Sequence, residues 1–599
     1  MDQARLQAYV NLIEQLLTCA DGEELNNIIQ KNQELIDLQF LQEMENYAMG
    51  LEQQENDNDA AWLRNIAQQL GQFLNPQAES IEEYQEFLLE VLQAEIDSNS
   101  DPGVIYPILQ CHQHLLNDTF AQVLQQYARN VFSQGKAEDV TVIAKVIGNL
   151  CIHIQKLPLG SRANNLEIAI TGYQSILEIY TRETFPDEWA GIQNNLGLAY
   201  GDRIREERAD NLELAIAAYN LSLEVYTREA FPDEWARIQN NLGAAYSKRI
   251  RGERADNLEL AIAAFNRSLE VKKREAFPEN WAGIQNNLGN AYSDRIVGER
   301  AENLEKAISA YKLSLEVYTR DSFPEGWARS QNNLGNTYIN RIQGDIAENI
   351  ETAIFCYQEA LKIRTFDAFP FDWATTQNNL GNAYSKRIRG NKAENIENAI
   401  ICYQNALQIY THEAFPEDWV KTQYNLANTL RERFKLLGKV EDIQQAINAY
   451  KQGKKIIEKT EDQKLYFNYS YQLGKALFEG GYYTEAIEHL ENCQQRYQKQ
   501  KDVNNLAPIL LELARLYHRI GRLEQARLYF KDSLRLFRRL DDQDNVASVI
   551  SALGNLEIQI GKIPQACNHL KEAQEYYQKN NHTERLDEID HLLKILQSA

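Results

Sequence analysis

Proline is scarce in this chain, at 12 of 599 residues. Proline breaks helix interiors, so its scarcity suits a nearly all-helical fold. No run of 18 apolar residues occurs, and no membrane span is expected. The start, Met1-Asp2-Gln3-Ala4-Arg5, has no basic region followed by an apolar core, so no signal peptide is expected. Positive charge is in deficit: 62 Lys and Arg face 86 Asp and Glu, a net −24. That balance opposes general binding to nucleic acid or to an anionic membrane. The 7 cysteines, Cys19, Cys111, Cys151, Cys356, Cys402, Cys493 and Cys567, lie far apart and form no Cys-x-x-Cys. Such spacing reads as reduced, mostly buried thiols in a cytoplasmic protein. No phosphate loop, zinc-protease motif or nucleophile elbow is present, so neither an enzyme nor a cofactor is expected. Cys111, His112 and His114 stand together, but no second cluster exists to complete a metal site, and none is expected.

What the chain does have is a ruler. Tryptophan falls at 189, 235, 281, 327, 373 and 419, each step 46 residues. Self-similarity at a fixed period of this length marks a repeat array, usually a solenoid. Each unit then touches mainly its neighbours, and the product is a long surface for recognition rather than a catalytic pocket. A solenoid also escapes the size limit on a single compact core, which 599 residues exceed.

One unit, 231–276, reads as a pair of helices. Phe231-Pro232-Asp233-Glu234-Trp235 opens the first: proline is tolerated at the first helical position, and the acids complement the helix dipole. Ile238, Leu242, Ala245, Tyr246 and Ile250 recur at helical spacing, and Gly252 is placed to end the helix. Gly298, Gly344 and Gly390 match it, whereas Glu206 occupies that place in an earlier unit. Asn257 reads as the N-cap of the second helix, with Asn165, Asn211, Asn303, Asn349 and Asn395 equivalent. Leu258, Ala261, Ile262, Phe265, Leu269 and Val271 form its apolar stripe, and Cys356 and Cys402 fill one inward position of that helix in later units.

A worn first unit is expected near 137–184, since Asn149-Leu150 precedes Asn195-Leu196 by 46. Ala446 and Tyr450 sit one residue out of step. Beyond them the period shortens to 40, marked by Gly481, Gly521 and Gly561 and by Ala486, Ala526 and Ala566. A closing helix is expected over 583–599. Residues 1–136 show helical spacing at Leu6, Tyr9, Val10, Ile13 and Leu16, polar breaks at 55–59 and 97–103, and no repeat. The expected organisation is therefore 1–136 as an N-terminal helical region, 137–460 as long repeats, and 461–599 as three short repeats with a closing helix.

Leu242-Gly243, Tyr246, Ala261, Phe265 and Ser268 resemble the tetratricopeptide repeat, with residues added in the turn and at the Phe-Pro junction. Leu513-Ala514, Tyr517, Gly521, Ala526, Phe530 and Ser533 resemble it more closely. The likeness covers roughly 137–595. The run Asn240-Asn241-Leu242-Gly243 looks like the first helix of kinesin-light-chain-type repeats. The run Leu6-Gln7-Ala8-Tyr9-Val10-Asn11-Leu12-Ile13-Glu14-Gln15-Leu16-Leu17, joined to 46-residue repeats, is similar to cyanobacterial tetratricopeptide proteins. Many of those end in a CHAT domain, a caspase-like protease, for which no matching segment is found here. The resemblance implies an all-α, right-handed superhelical solenoid of antiparallel helix pairs whose first helices line a concave groove.

On those first helices runs an asparagine column: Asn149, Asn195, Asn241, Asn287, Asn333, Asn379 and Asn425. A carboxamide offers donor and acceptor together, which matches a peptide group without reading its side chain. The resemblance makes this column the candidate peptide-binding site. Stitching of adjacent helices is the other reading. Arg203, Arg249, Arg295, Arg341, Arg387 and Arg433 form a second column, read as bridging between units to Asp210, Asp256, Glu302, Glu348 and Glu394, or as a basic track. The tryptophans read as packing the Phe-Pro junctions. The function expected is a non-enzymatic scaffold that binds a protein or peptide partner, not nucleic acid or membrane. The alternative is a regulatory subunit of a separately encoded effector such as a CHAT-type protease.

Overall fold

The structure is a computed structural model that describes residues 3–17, separate positions between 28 and 67, and then 81–458, 462–580 and 582–598. The expected break at 55–59 and Cys19 lie outside the described residues. Among the described residues there are 25 helices and no strand, an all-α repeat solenoid. The chain divides into two compact units, Met1–Phe231 and Pro232–Ala599.

In the first unit, α1 (Gln3–Leu17) buries Tyr9, Leu12, Ile13 and Leu16 against Phe40, Met44, Leu63 and Ile66. Then follow α2 (Ile81–Asp97), α3 (Pro102–Cys111), α4 (Asp118–Gln134), α5 (Ala137–Lys156), α6 (Arg162–Ile176), α7 (Pro186–Asp202) and α8 (Arg208–Leu223). The polar break at 97–103 is a turn in which Asn99 and Ser100 take positive φ. The worn unit is a real helix pair, α5 with α6, and Asn165 on α6 is buried like its equivalents.

The second unit begins with five long pairs: α9 (Pro232–Lys248) with α10 (Arg254–Val271), α11 (Pro278–Asp294) with α12 (Arg300–Leu315), α13 (Pro324–Ile339) with α14 (Ile346–Ala360), α15 (Pro370–Lys386) with α16 (Lys392–Ala406), and α17 (Pro416–Leu437) with α18 (Val440–Ile457). Three short pairs follow: α19 (Gln463–Glu479) with α20 (Tyr483–Gln500), α21 (Val503–Arg519) with α22 (Leu523–Arg539), and α23 (Gln543–Gln559) with α24 (Ile563–Lys579). The closing helix is α25 (Thr583–Ser598).

Inside a long pair the core is the expected one. Ile238, Leu242 and Ala245 of α9 and Leu258, Ala261, Ile262 and Phe265 of α10 are all buried. Gly243 explains itself here. A Cβ on it would lie 2.7 Å from the Phe265 ring, and Gly289, Gly335 and Gly381 meet Tyr311, Tyr357 and Tyr403 in the same way. The helices approach so closely that only hydrogen fits under the aromatic ring. Each of these tyrosines then donates its hydroxyl to an asparagine Oδ1: Tyr311 to Asn290 at 2.6 Å, Tyr357 to Asn336 at 2.8 Å and Tyr403 to Asn382 at 2.9 Å. The out-of-step Tyr450 keeps the same bond, to Asn428 at 2.7 Å.

Two expectations need correction. The first helix stops at Lys248, so Ile250 lies in the turn and is 60 % exposed rather than helical and buried. Asn257 is not the N-cap either: α10 starts at Arg254 after Glu253, leaving Asn257 inside the first turn. Its Nδ2 instead donates to the carbonyl of Arg251 at 2.9 Å. Asn211, Asn303, Asn349 and Asn395 hold the carbonyls of Arg205, Val297, Gln343 and Arg389 at 2.8–2.9 Å. Buried asparagine thus closes the turn from within, supplying donors to carbonyls that would otherwise be unsatisfied. The turn glycine does take the left-handed conformation, with φ of 76° at Gly252 and 81° at Gly344 and Gly390.

Candidate peptide-binding face

The asparagine column sits on the first helices. Each member from Asn287 onward is half-buried and follows a residue packed more deeply into the stack or equally so. The structure resolves how these side chains meet. Asn287 Nδ2 donates to Asn240 Oδ1 at 3.2 Å, Asn333 to Asn286 at 3.2 Å, Asn379 to Asn332 at 3.3 Å and Asn425 to Asn378 at 3.5 Å. The result is a ladder of carboxamides running from one first helix to the next. Asn286 Oδ1 also accepts from Ser330, and Asn378 Oδ1 from Thr422. In the first unit, Asn149 donates to Ser100 Oγ at 2.7 Å, and Asn195 Oδ1 accepts from Asn194 at 3.3 Å. Asn241 lies on α9 at the equivalent position and is half-buried.

At three positions the ladder takes nitrogen and spares oxygen, whereas Asn333 Oδ1 accepts from Asn332 at 3.5 Å. The Oδ1 atoms of Asn287, Asn379 and Asn425 accept from no described group, while the Nδ2 of each is held. A carboxamide carries two N–H donors and two acceptor sites, so one ladder bond leaves most of that capacity unused. Stitching therefore engages the Nδ2 of these three side chains and leaves their Oδ1 without a described donor.

The arginine column does bridge, but to different acids from those expected. Arg295 donates through Nε and Nη2 to Glu259 at 2.7 and 2.9 Å, and Arg341 makes the same fork to Glu305. Arg387 grips Glu351 at 2.7 Å twice, and in the first unit Arg203 grips Glu167. These acids belong to the second helix of the preceding pair. Glu302, the acid suggested by sequence, pairs with Lys306 at 2.8 Å. Arg433 divides between Asp442 and Glu397. Hydrogen bonding to the arginines holds Glu259 and Glu351 below the ordinary carboxylate value.

The ruler tryptophans are half-buried, with Trp373 and Trp419 packed against Ala374, Ala406 and Tyr410 at a junction. Cys356 and Cys402 are buried, and burial pushes both thiols up to about 12. His112 stacks on Phe87 at 4.7 Å. Among the described residues no three His, Cys, Asp or Glu side chains are grouped to hold a metal, and no helix is long and apolar enough to cross a membrane.

Two hollows open among the first helices of the second unit. One, of about 200 Å³, is lined by Asn240 and Asn287 of the ladder together with Arg237, Lys272, Glu279 and Tyr318. The other, of about 260 Å³, is lined by Glu325, Arg329, Arg364, Phe369 and Asp372. Sequence reasoning did not single out their four cations. The signal was present, because Tyr180, Tyr226, Tyr318 and Tyr410 form a 46-residue column that Lys272 and Arg364 interrupt.

Tetratricopeptide-repeat family models match residues 373–413, 465–539 and 507–579. No curated protein matches the sequence. Among solved structures, similar folds include a signal transduction ATPase with numerous domains and a tetratricopeptide repeat sensor from Pyrococcus horikoshii. It is 14% identical, with 79% of this chain and 69% of that one covered and a TM-score of 0.41. A protective antigen of uropathogenic Escherichia coli with an SLR fold is 15% identical, with 84% and 97% covered and a TM-score of 0.39. The apo quorum sensor NprR from B. thuringiensis is 14% identical, with 69% and 98% covered and a TM-score of 0.33. Likenesses at this level decide nothing about what this chain binds. Residues 373–413 and 465–579 are thus tetratricopeptide repeats, set in an all-α solenoid of paired helices.

Proposed function

We propose that this protein is a non-enzymatic interaction scaffold that holds an extended segment of a protein partner along the asparagine ladder. The observation that carries the proposal is the division of labour in the ladder. Asn287, Asn379 and Asn425 are each oriented by a bond through Nδ2 and keep an unused Oδ1 on a half-exposed side chain. Side chains already fixed in one orientation lose little entropy on binding, which favours affinity from weak individual bonds. Carboxamides pair with peptide groups whatever the partner's side chains, so backbone recognition is the chemistry that fits. Helical repeat arrays present extended surfaces of this kind rather than enclosed catalytic sites.

The test begins with peptides selected from a random library on the full chain. Binding of the best peptide is then measured to the wild type and to the Asn287→Ala/Asn379→Ala variant. Loss of two bonds of about 1 kcal/mol each weakens binding roughly tenfold to a hundredfold. N-methylation of the peptide backbone weakens it comparably, while most side-chain exchanges do not. Unchanged affinity of the folded double variant removes the ladder from recognition.

A further inference from the structure

One position alternates along the long repeats in step with another. Tyr226 lies over Gly191, whose Cβ would stand 3.4 Å from the tyrosine hydroxyl, and Tyr318 lies over Gly283, where the distance would be 3.0 Å. Tyr410 meets Thr375, hydroxyl to hydroxyl, at 2.7 Å. Each is a hydroxyl set against a small partner 35 residues earlier. In the two intervening repeats both members of the pair change together. Arg237 and Lys272 line one hollow, and Arg329 and Arg364 line the other, where the charge of Arg329 acts on Arg364. A small residue beside tyrosine has become cation beside cation, twice, at a spacing of two repeats.

Like charges brought together repel, and the inner member of each pair is also desolvated. Lys272 and Arg364 are each only 8 % exposed. Burial lowers the Arg364 pKa, and the charge of Arg329 lowers it further. Each inner cation touches one acid. Lys272 Nζ lies 3.2 Å from Asp233 and 3.9 Å above the Phe277 ring, and Arg364 Nη2 lies 3.3 Å from Asp372. Arg364 Nη1 donates to Thr376 at 3.1 Å. These acids were not recruited for the cations. Asp187 and Glu279 stand where Asp233 does, and Glu188 and Asp418 stand where Asp372 does, in repeats whose column residue is tyrosine. The outer cations, Arg237 and Arg329, are exposed and make no ion pair among the described residues. Lys272 has three donors and Arg364 has five, so most of their hydrogen-bonding capacity is unspent.

We infer that the Arg237–Lys272 and Arg329–Arg364 hollows are two anion sockets that receive acidic side chains of the partner segment. The first opens directly on Asn240 and Asn287, so an acidic side chain entering it belongs to a chain lying on the ladder. Glu279 and Glu325 on the rims disfavour a free carboxylate that is not aimed between the cations. The sockets deepen the scaffold proposal and rest on it for the identity of the ligand as a peptide segment. They explain how a chain of net charge −24 can hold an acidic partner that its overall field repels.

The experiment uses the full chain, a fluorescent short oligoglutamate peptide, its oligoglutamine counterpart and inorganic phosphate. One variant carries Arg237→Gly with Lys272→Tyr and another carries Arg329→Gly with Arg364→Tyr. Each installs the pairing that the same fold already uses at 191 and 226 and at 283 and 318, so folding is retained. Oligoglutamate is expected to bind the wild type more tightly than oligoglutamine does. Its affinity should fall about tenfold in each variant and further when the two are combined. Should a double exchange lower the melting temperature, Arg237→Gln and Arg329→Gln, at exposed helical positions, carry the same expectation. Equal binding of the two peptides to the wild type, or equal binding of oligoglutamate to wild type and variants, overturns the sockets. Binding of phosphate alone, lost in the variants, overturns the peptide assignment. The Asn287→Ala/Asn379→Ala variant separates the two proposals: oligoglutamate binding that persists there but fails in the socket variants supports the sockets and removes the ladder.

Discussion

At the scale of single residues, the turn between paired helices shows what a repeat tolerates. Gly252, Gly298, Gly344 and Gly390 enter the left-handed region, and Glu206 enters it too, at φ 65°. A residue with a Cβ loses about 1–2 kcal/mol there. Glu206→Gly should therefore raise stability by about 1 kcal/mol, which a shift of the denaturation midpoint to higher urea would register; a shift to lower urea would mean that the Glu206 side chain contributes more than its backbone costs. Cys356 and Cys402 give a second residue-scale prediction. Buried, and with thiols pushed up to about 12, they lack the thiolate that alkylating reagents attack. Exposed Cys111 should be labelled first under native, reducing conditions. Fast labelling of Cys356 and Cys402 in the folded protein would contradict the packing of α14 and α16.

At the scale of elements, the defining contact is the aromatic ring of each second helix laid on a glycine of the first. A Cβ on Gly289 would come within 2.6 Å of Tyr311, too close without displacement of the ring. Alanine is otherwise the better helix former by roughly 1 kcal/mol, so the clash must exceed that gain to matter. Overpacking in a filled core costs about 1–3 kcal/mol. Gly289→Ala is thus expected to destabilise on balance, while Gly289→Ala with Tyr311→Leu should recover part of the loss. Thermal melts of the single and double variants decide it, and a stabilised single variant would show that α11 and α12 separate freely. Elements also hold one another through the arginine forks. Each ties the end of a first helix to the second helix before it, which makes the pair-to-pair step polar as well as apolar.

At the scale of the whole molecule those forks recur, and two of them hold a carboxylate whose titration is shifted. Glu259 and Glu351 are held below the ordinary glutamate value of 4.5, first by the hydrogen bonds from Arg295 and Arg387. A lowered folded-state value stabilises the fold while the carboxylate is charged. The contribution is complete above about pH 4.5 and is lost as pH falls through the lower folded-state values. In a solenoid each interface adds its own small term. The melting temperature should consequently drop steeply below pH 4.5 and be nearly flat between pH 6 and 8. Glu259→Gln combined with Glu351→Gln should lower stability at neutral pH and flatten the acid limb. An acid limb unchanged in that variant would assign it to other groups.

What the sequence determined by itself is whatever follows from position along one helix. The 46-residue and 40-residue periods, the glycine turns and the buried stripes of Ile238, Leu242, Leu258 and Phe265 were all legible, because 3.6 residues per turn sorts side chains onto faces without reference to any neighbour. The asparagine column was legible as a column for the same reason. Which atoms on different helices meet depends instead on the register and tilt of one helix against the next, and that the tertiary structure alone decided. It sent Arg295 to Glu259 rather than to Glu302, and it turned Asn257 from a cap into a clasp on the carbonyl of Arg251. It made the asparagines a ladder through their nitrogens. It also set Arg329 in one hollow with Arg364, 35 residues apart in the chain, where no helical periodicity relates them.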